Sequence, residues 1–310
     1  MLRSALLWLS EQQKVYELVR RNGLSRKFAS RFVAGETLDE AIQAARVLNE
    51  KGISTSLDLL GESVTDESES ARSRDEVIET LDRIAETGVD ANVSVKLTQM
   101  GLDLSEETCV TNMHKVLARA RKHDIFVRID MEGSPYTERA LKLFSQRLHP
   151  EFGDLTGVVI QSYMRRSAAD VEALIDMQAR VRLCKGAYAE PADIAFQERS
   201  EVSESYAELM EHLVRKGNYP GIATHDEELV KRTIEFAKKE NISADRFEFQ
   251  MLYGVRRDLQ QKLRDDGYNM RVYIPFGTQW YPYLMRRLAE RPANLAFITI
   301  SVLKEARSWK

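Results

Sequence analysis

Eight short runs of β-type residues recur along this 310-residue chain, about 25 to 40 residues apart, with helical periodicity between them. Repeated strand–helix units of this kind are typical of a parallel sheet. The runs are STSLDLLG (54–61), ANVSVKLT (91–98), FVRIDME (126–132), GVVIQSY (157–163), VRLCKGA (181–187), GIATHD (221–226), FEFQML (247–252) and MRVYIPFG (270–277). Eight units in about 250 residues predict an α/β protein with a closed (β/α)8 TIM-type barrel, because open doubly wound sheets more often carry fewer strands.

The first 50 residues have a helical pattern and precede the first strand. No linker rich in Pro, Gly or Ser divides the chain, so this segment is expected to pack on the barrel and not to form its own domain. We predict one domain over 1–310, made of an N-terminal helical segment (1–50), the barrel (54–294) and a C-terminal helix (295–310).

Composition and charge exclude several classes of protein. The chain is 43% hydrophobic and 30% charged with a net charge of -3, which fits a soluble globular protein and argues against a nucleic-acid footprint. No apolar run approaches the roughly 18 residues that span a bilayer, and the apolar start lacks a cleavage pattern. Cys109 and Cys184 have neither metal-site nor redox-pair spacing. A cytoplasmic protein is expected.

Polar side chains stand at or near the ends of the predicted strands, where a barrel of this type carries its active site. They are Glu62, Lys96, Asp130, Gln161, Arg182, Lys185, Thr224, His225, Gln250 and Tyr273. Several cationic and amide groups at one barrel mouth would repel one another without an anionic ligand. The set therefore favours a bound phosphate or carboxylate.

Each of these residues also has an ordinary structural interpretation. Lys96 and Asp130 can form a structural ion pair inside the barrel, Arg182 can be a solvated strand end, and His225 can be a capping or core histidine. The chain has neither GxGxxG nor GxxxxGK[ST], which disfavours the usual nicotinamide and ATP folds and leaves a flavin at the barrel rim as an alternative.

A set of longer motifs follows the strand ends in order. They are LDLLGE (57–62), VSVKLT (93–98), RIDME (128–132), VIQSYMRRS (159–167), VRLCKGAY (181–188), ATHDE (223–227), FEFQMLYGVRRDLQ (247–260), RVYIPFG (271–277) and YLMRRLAERPAN (283–294). With these motifs the chain resembles the monofunctional bacterial proline dehydrogenases, a flavoenzyme family whose domain also occurs in bifunctional proline-utilisation proteins.

The resemblance implies FAD-dependent oxidation of L-proline to Δ1-pyrroline-5-carboxylate, the first step of proline catabolism to glutamate. It also implies transfer of electrons to a membrane quinone, and with it a peripheral contact at the inner face of the cytoplasmic membrane. In this family the barrel is distorted and its last helix lies across the strand ends, over the substrate.

On the substrate side, the resemblance makes Arg286 and Arg287 the pair that holds the proline carboxylate, and guanidinium forks suit a planar carboxylate. Lys96 becomes a substrate-site lysine, and Asp130 is expected to be its partner and a catalytic residue. The remaining pocket positions that the resemblance implies are Tyr273, Tyr283 and Leu183, the last as the floor under the proline ring.

On the cofactor side, the resemblance places Arg182 near flavin N5, where its positive charge would stabilise the reduced flavin. It is the second catalytic residue expected. The other flavin-contacting positions implied are Met131, Gln161, Lys185, Gly186, Ala187, Thr224 and His225.

Two acidic residues have open roles. Glu62 begins a polar segment (62–76) that we suggest closes over the barrel mouth by pairing with Arg286 or Arg287, and a solvated loop is the alternative. Glu290 either orients one of these arginines or forms an ordinary surface pair on the helix.

Two other functions compete with the oxidoreductase. One is a barrel lyase that uses Lys96 or Lys185 as a Schiff-base amine. The other is a non-catalytic barrel that binds a carboxylate. Neither predicts the full order of motifs.

Overall fold

The computed structural model describes residues 29–61 and 64–290, with side chains through residue 285. Eight parallel strands form a closed barrel in chain order, and the last pairs with the first. The strands are β1 (Ser54–Leu59), β2 (Ala91–Val95), β3 (Val127–Ile129), β4 (Thr156–Gln161), β5 (Arg180–Cys184), β6 (Gly221–Ala223), β7 (Glu248–Leu252) and β8 (Asn269–Phe276). The predicted (β/α)8 barrel is thereby confirmed, and each strand lies in or within one residue of its predicted run.

Helices precede the barrel and connect its strands. They are α1 (Leu38–Asn49), α2 (Glu67–Thr87), α3 (Glu106–His123), α4 (Ser134–Leu143), α5 (His149–Phe152), α6 (Ser167–Asp176), α7 (Arg199–Lys216), α8 (Glu227–Lys239), α9 (Arg257–Asp265) and α10 (Trp280–Glu290). Between α4 and α5 the chain makes one π-helical turn, Phe144–Leu148. Local signals fix several ends: Thr37 and Glu40 form a capping box at the start of α1, and Gly88 ends α2 in the left-handed region.

The two faces of the barrel differ in chemistry. Alternate strand residues such as Leu57, Val127 and Ile274 point outward into one apolar layer shared with the helices. Many interior side chains are polar, and they form hydrogen bonds between strands that are not neighbours: Tyr273 on β8 donates to Asp130, which directly follows β3, at 2.8 Å. Only side chains that cross the interior can make such contacts.

The segment before α1 is tied to the end of β8. The amide of Ala34 donates to the carbonyl of Pro275, and the amide of Gly277 donates to the carbonyl of Gly35. The indole of Trp280, the first residue of α10, donates to Glu36 at 3.1 Å. This segment therefore fixes the point at which α10 leaves the barrel.

The predicted ends of the chain are only partly covered. Within the described residues, α1 confirms helical structure in 38–49, whereas 1–28 and the predicted C-terminal helix (295–310) lie outside them. The single-domain division and the position of α10 over the barrel mouth stay predictions. In the part of the chain that is described, no helix combines the length and apolar character needed to cross a bilayer.

Candidate active site

Lys96 and Asp58 form a buried ion pair at the carboxyl ends of β2 and β1. The Lys96 Nζ lies 2.9 Å from Asp58 Oδ1, and Asp58 is only 1% exposed. Burial raises the pKa of Asp58; the Lys96 ammonium opposes that rise, and the nearby Asp130 carboxylate adds to it. A buried carboxylate in this position depends on its lysine to remain ionised.

Arg182 is the centre of a second polar cluster. Its Nη1 donates to Asp130 Oδ1 at 2.7 Å, its Nη2 to Ser94 Oγ at 3.2 Å and its Nε to Gln250 Oε1 at 2.5 Å. Its guanidinium carbon also lies 5.2 Å from the centroid of the Tyr273 ring. Contacts to four elements fix this cation inside the barrel, so the interpretation of Arg182 as a solvated strand end is wrong.

Tyr273 connects the two clusters. Its hydroxyl donates to the second carboxylate oxygen of Asp130, and its pKa is raised well above the ordinary value by burial and by the charges of Asp130 and Asp58. The phenol therefore stays protonated and acts as a hydrogen-bond donor at the pH of a cell.

The expected pairing of Lys96 with Asp130 is not what the structure shows. Both oxygens of Asp130 are engaged, one by Arg182 and one by Tyr273, and Lys96 pairs with Asp58 instead. Asp130 thus holds the arginine in place, and Asp58 is the carboxylate that balances the lysine.

Two apolar residues, Leu183 and Met131, were predicted to contact a ligand, and the structure shows where each of them lies. Leu183 is fully buried in the layer between barrel and helices, since strand alternation turns it away from the interior that Arg182 occupies. Leu183 is therefore not a floor for a ligand in the barrel mouth. Met131 is buried in the same apolar core, just beyond β3.

Lys185 lies beyond the end of β5, on the side of the barrel mouth opposite β1. Its Nζ contacts Asp226 Oδ2 at 2.8 Å and Ser203 Oγ at 3.0 Å. Asp226 also caps α8 by accepting from the amide of Glu228. The lysine charge is therefore held at the N-terminal ends of α7 and α8, where backbone amides favour anions.

This pair gives a pH-dependent prediction. Burial alone would raise the pKa of Asp226, but the hydrogen bond and charge of Lys185, together with the amides of Glu228 and Leu229, outweigh it, so the pKa is lowered from its ordinary value. A carboxyl group whose pKa is lower in the folded than in the unfolded protein stabilises the fold at every pH above its unfolded pKa. That contribution is lost as the pH falls through its folded pKa. Lys185→Met should move the acid-unfolding midpoint, measured by circular dichroism, to higher pH.

Lys231→Met is the matched control, because Lys231 forms an exposed pair with Glu235 on α8 at 3.9 Å. Its acid-unfolding midpoint should equal that of the wild type. Equal midpoints for Lys185→Met and Lys231→Met would show that the Lys185–Asp226 pair does not stabilise the fold.

The remaining cofactor candidates surround the ends of β4, β5 and β6. Gln161 donates to the carbonyl of Glu132 at 3.0 Å, and the hydroxyl of Thr224 accepts from the amide of Asp226. His225 Nε2 accepts from the amide of Leu252 at 2.9 Å, which places the proton of a neutral ring on Nδ1. Ala187 lies in the loop after β5.

Gly186, in the same loop, has a φ of +108°, and a Cβ there would lie 2.3 Å from the Tyr163 ring. Only glycine fits this position, because the backbone is in the left-handed half of φ space and the ring lies directly beside it.

Several predicted residues have no described side chain. Arg286, Arg287 and Glu290 belong to α10, but their side chains lie outside the description, and Glu62 lies outside it altogether. Tyr283 is buried in the first half of the same helix. The roles of these residues stay predictions.

Sequence reasoning missed Asp58 and gave Gln250 no role. Asp58 stands between Leu57 and Leu59 in a run that reads as a strand, which is the same signal that identified Asp130. A charged residue between two apolar strand residues must face the polar interior of the barrel, so the signal was present.

Buried charged pairs at the carboxyl mouth of a (β/α)8 barrel are typical of a barrel enzyme, because this end of the barrel carries the active site. The sequence model of the family Proline dehydrogenase matches residues 41–299. The chain belongs to the proline dehydrogenase family, whose activity is the oxidation of proline in proline catabolism.

Curated relatives match over nearly their whole length. Proline dehydrogenase 1 of Bacillus subtilis subsp. natto is 40% identical over 305 residues, covering 98% of this chain and all of the relative. Proline dehydrogenase of Deinococcus radiodurans is 39% identical over 306 residues, covering 97% and 98%. The predicted resemblance to the monofunctional bacterial proline dehydrogenases is thereby confirmed.

Among solved structures, proline utilization A of Bdellovibrio bacteriovorus, inactivated by N-propargylglycine, has a TM-score of 0.81 at 26% identity. The match covers 88% of this chain and 33% of that one, so this chain corresponds to about a third of the larger protein. The Bradyrhizobium japonicum protein, with a TM-score of 0.75 at 23% identity, shows the same fold.

Proposed function

We propose that this protein oxidises L-proline to Δ1-pyrroline-5-carboxylate with FAD as cofactor and passes the electrons to a quinone. The observation that carries the proposal is the set of buried Lys96, Asp58 and Arg182 with the partly buried Asp130 and Tyr273 at the barrel mouth of a proline dehydrogenase family member. These groups supply both charges, as a zwitterionic amino acid requires.

The residues on the β4 to β6 side fit a flavin nucleotide. The side chains of Lys185, Gln161 and His225 provide hydrogen-bond donors, and at Gly186 the backbone takes a course that a side chain would block. Such donors match the carbonyl, nitrogen and phosphate acceptors of FAD. A bound flavin would supply the hydride acceptor: the proline ring carbon next to nitrogen would lose a hydride and the ammonium one proton, and the C=N bond would form.

The protein's own groups then have defined tasks. Arg182, held by Asp130, keeps a positive charge inside the mouth, where negative charge on the cofactor would be stabilised. Lys96 and Asp58 hold a balanced pair beside it. Arg286 and Arg287 are proposed to bind the proline carboxylate, and Glu62 is proposed to close the mouth.

The ion pairs weigh against the Schiff-base lyase. A nucleophilic lysine needs a free amine to attack a carbonyl, yet Lys96 Nζ lies 2.9 Å from Asp58 and Lys185 Nζ lies 2.8 Å from Asp226, so a carboxylate engages each amine. Borohydride should therefore trap no carbonyl compound on the protein.

The deciding experiment is an absorbance spectrum of the purified protein followed by anaerobic addition of L-proline. We expect flavin bands that bleach with L-proline and return when a soluble quinone is added, with the cyclic imine recovered as product. Bound flavin that L-proline does not reduce would contradict the substrate. A colourless protein that cannot take up FAD would contradict the cofactor and favour the carboxylate-binding barrel.

If the electrons go to a membrane quinone, the protein must meet the membrane surface at some stage. We propose a cytoplasmic protein with a peripheral contact. Co-sedimentation of the flavin-reduced protein with anionic vesicles tests this, and equal recovery in the supernatant with and without vesicles would contradict it.

A further inference from the structure

Beside Arg182 inside the barrel, β7 supplies two polar residues that none of the roles above uses. Gln250 accepts a hydrogen bond from Arg182 Nε through its Oε1 at 2.5 Å. Its own amide group donates to Glu248 Oε1, also at 2.5 Å. The two residues form a chain that runs from the barrel interior to its N-terminal end.

Glu248 determines which way the Gln250 amide faces. As an ionised carboxylate it only accepts hydrogen bonds, so it must face the NH2 end of Gln250 and leave the oxygen for Arg182. Arg271 Nε donates to the two carboxylate oxygens of Glu248 at 2.9 and 3.1 Å, and the Tyr219 hydroxyl donates to Glu248 at 3.4 Å. Burial would raise the pKa of Glu248, but Arg271 outweighs it and the pKa is lowered.

The neighbouring strand leaves space for this arrangement. Gly221 on β6 lies beside Gln250, and a Cβ there would lie 2.4 Å from the Gln250 amide nitrogen. The amide therefore packs directly against the backbone of β6, and any side chain at position 221 would displace it.

The bond to Nε has a distinct effect on Arg182. Asp130 and Ser94 hold the two terminal nitrogens, and Gln250 holds the nitrogen nearest the aliphatic stem. Three acceptors on three sides of a planar guanidinium fix both its position and the orientation of its plane. Without Gln250, the plane can rotate about the bonds to Asp130 and Ser94.

We propose that Gln250, oriented by Glu248, is a positioning residue that fixes the plane of the Arg182 guanidinium and thereby sets how strongly this cation favours the reduced flavin. The inference rests on the proposed function, because it requires a flavin that faces Arg182. Gln250 acts only through the arginine.

Gln250→Met tests the proposal, because it keeps the length of the side chain and removes the acceptor. The reduction potential of the bound flavin should fall by about 30 mV, which corresponds to about a tenfold loss of preference for the reduced form. The rate of flavin reduction by L-proline should fall by a similar factor, while KM for L-proline changes less than twofold.

Asn112→Leu is the matched control. Asn112 and Gln250 are both 4% exposed, but Asn112 packs between α2 and α3, outside the barrel. The control measures the general effect of removing a buried amide, and it should leave the potential unchanged. Equal potentials for Gln250→Met, Asn112→Leu and the wild type would overturn the proposal.

A double-mutant cycle with Arg182→Met separates positioning from a direct effect. If Gln250 acts through the arginine, adding Gln250→Met to Arg182→Met should change the potential no further. An additive change would overturn the proposal. Should Gln250→Met fail to fold, Glu248→Gln removes the orienting carboxylate, and its potential should also fall; an unchanged potential would count against the proposal.

The two proposals fail in different ways. Flavin that L-proline does not reduce would remove the substrate assignment, yet the potentials of the variants would still decide the role of Gln250. A wild-type protein that binds no flavin would overturn both.

Discussion

Lys96→Met is expected to lower kcat/KM for L-proline about 100-fold or more and to reduce the free energy of unfolding by about 3–5 kcal/mol. The first effect follows from loss of a cation in the proposed substrate pocket. The second follows because Asp58, buried at the end of β1, loses the partner that lies 2.9 Å away. Steady-state kinetics and urea unfolding measure the two effects separately.

A double mutant distinguishes the two causes. Asp58→Asn together with Lys96→Met removes both charges, so most of the lost stability should return while activity stays low. Lys262→Met is the surface control: its pair with Asp266 is exposed, and its loss should cost less than about 1 kcal/mol. If Lys96→Met has the same stability and activity as Lys262→Met, Lys96 has no special role.

Gly186→Ala is expected to weaken FAD binding about 10- to 100-fold, which corresponds to the 1–3 kcal/mol typical of one strained residue. The new methyl group would meet the buried Tyr163 ring, and the φ of +108° disfavours any side chain. The ring cannot easily retreat, because it packs against Met164 and Ala195. The flavin-to-protein absorbance ratio after dialysis is the direct measurement.

Gly88→Ala is the control for the backbone conformation alone. Gly88 has a φ of +66° at the end of α2, and a Cβ there meets nothing within 4 Å. This variant should lose about 1 kcal/mol of stability and keep its full flavin content. Equal flavin content in the two alanine variants would show that Gly186 does not shape the cofactor site.

The fold was accessible from the sequence because each strand carries a local signal. In β1 and β8, for example, apolar residues alternate with polar ones, as Leu57 and Leu59 do around Asp58, and this period of two is typical of a strand. The strand ends identified Arg182 and Asp130 because ionisable residues between apolar neighbours must face a polar interior. The motif order of the family added the cofactor and the substrate, which no single residue indicates.

Which side chains pair with each other across the strands could not be predicted from the sequence in the same way. The sequence offered Lys96 two carboxylates on neighbouring strands, Asp58 on β1 and Asp130 beyond β3. Arg182 and Tyr273 approach Asp130 from β5 and β8, and they occupy both of its oxygens. Barrel closure brings β5 and β8, which lie two and three strands away from β3 around the barrel, within reach of Asp130, and this is a property of the whole sheet.

The sequence by itself determined the eight strand–helix units, the family and the residue types at the barrel mouth, because periodicity and motif order are local properties of a chain. The tertiary structure decided the partners: Asp58 for Lys96, Asp130 and Gln250 for Arg182, and the outer apolar layer for Leu183. Hydrogen-bond partners depend on the register and stagger of a closed sheet, and these arise only when all eight strands pack together.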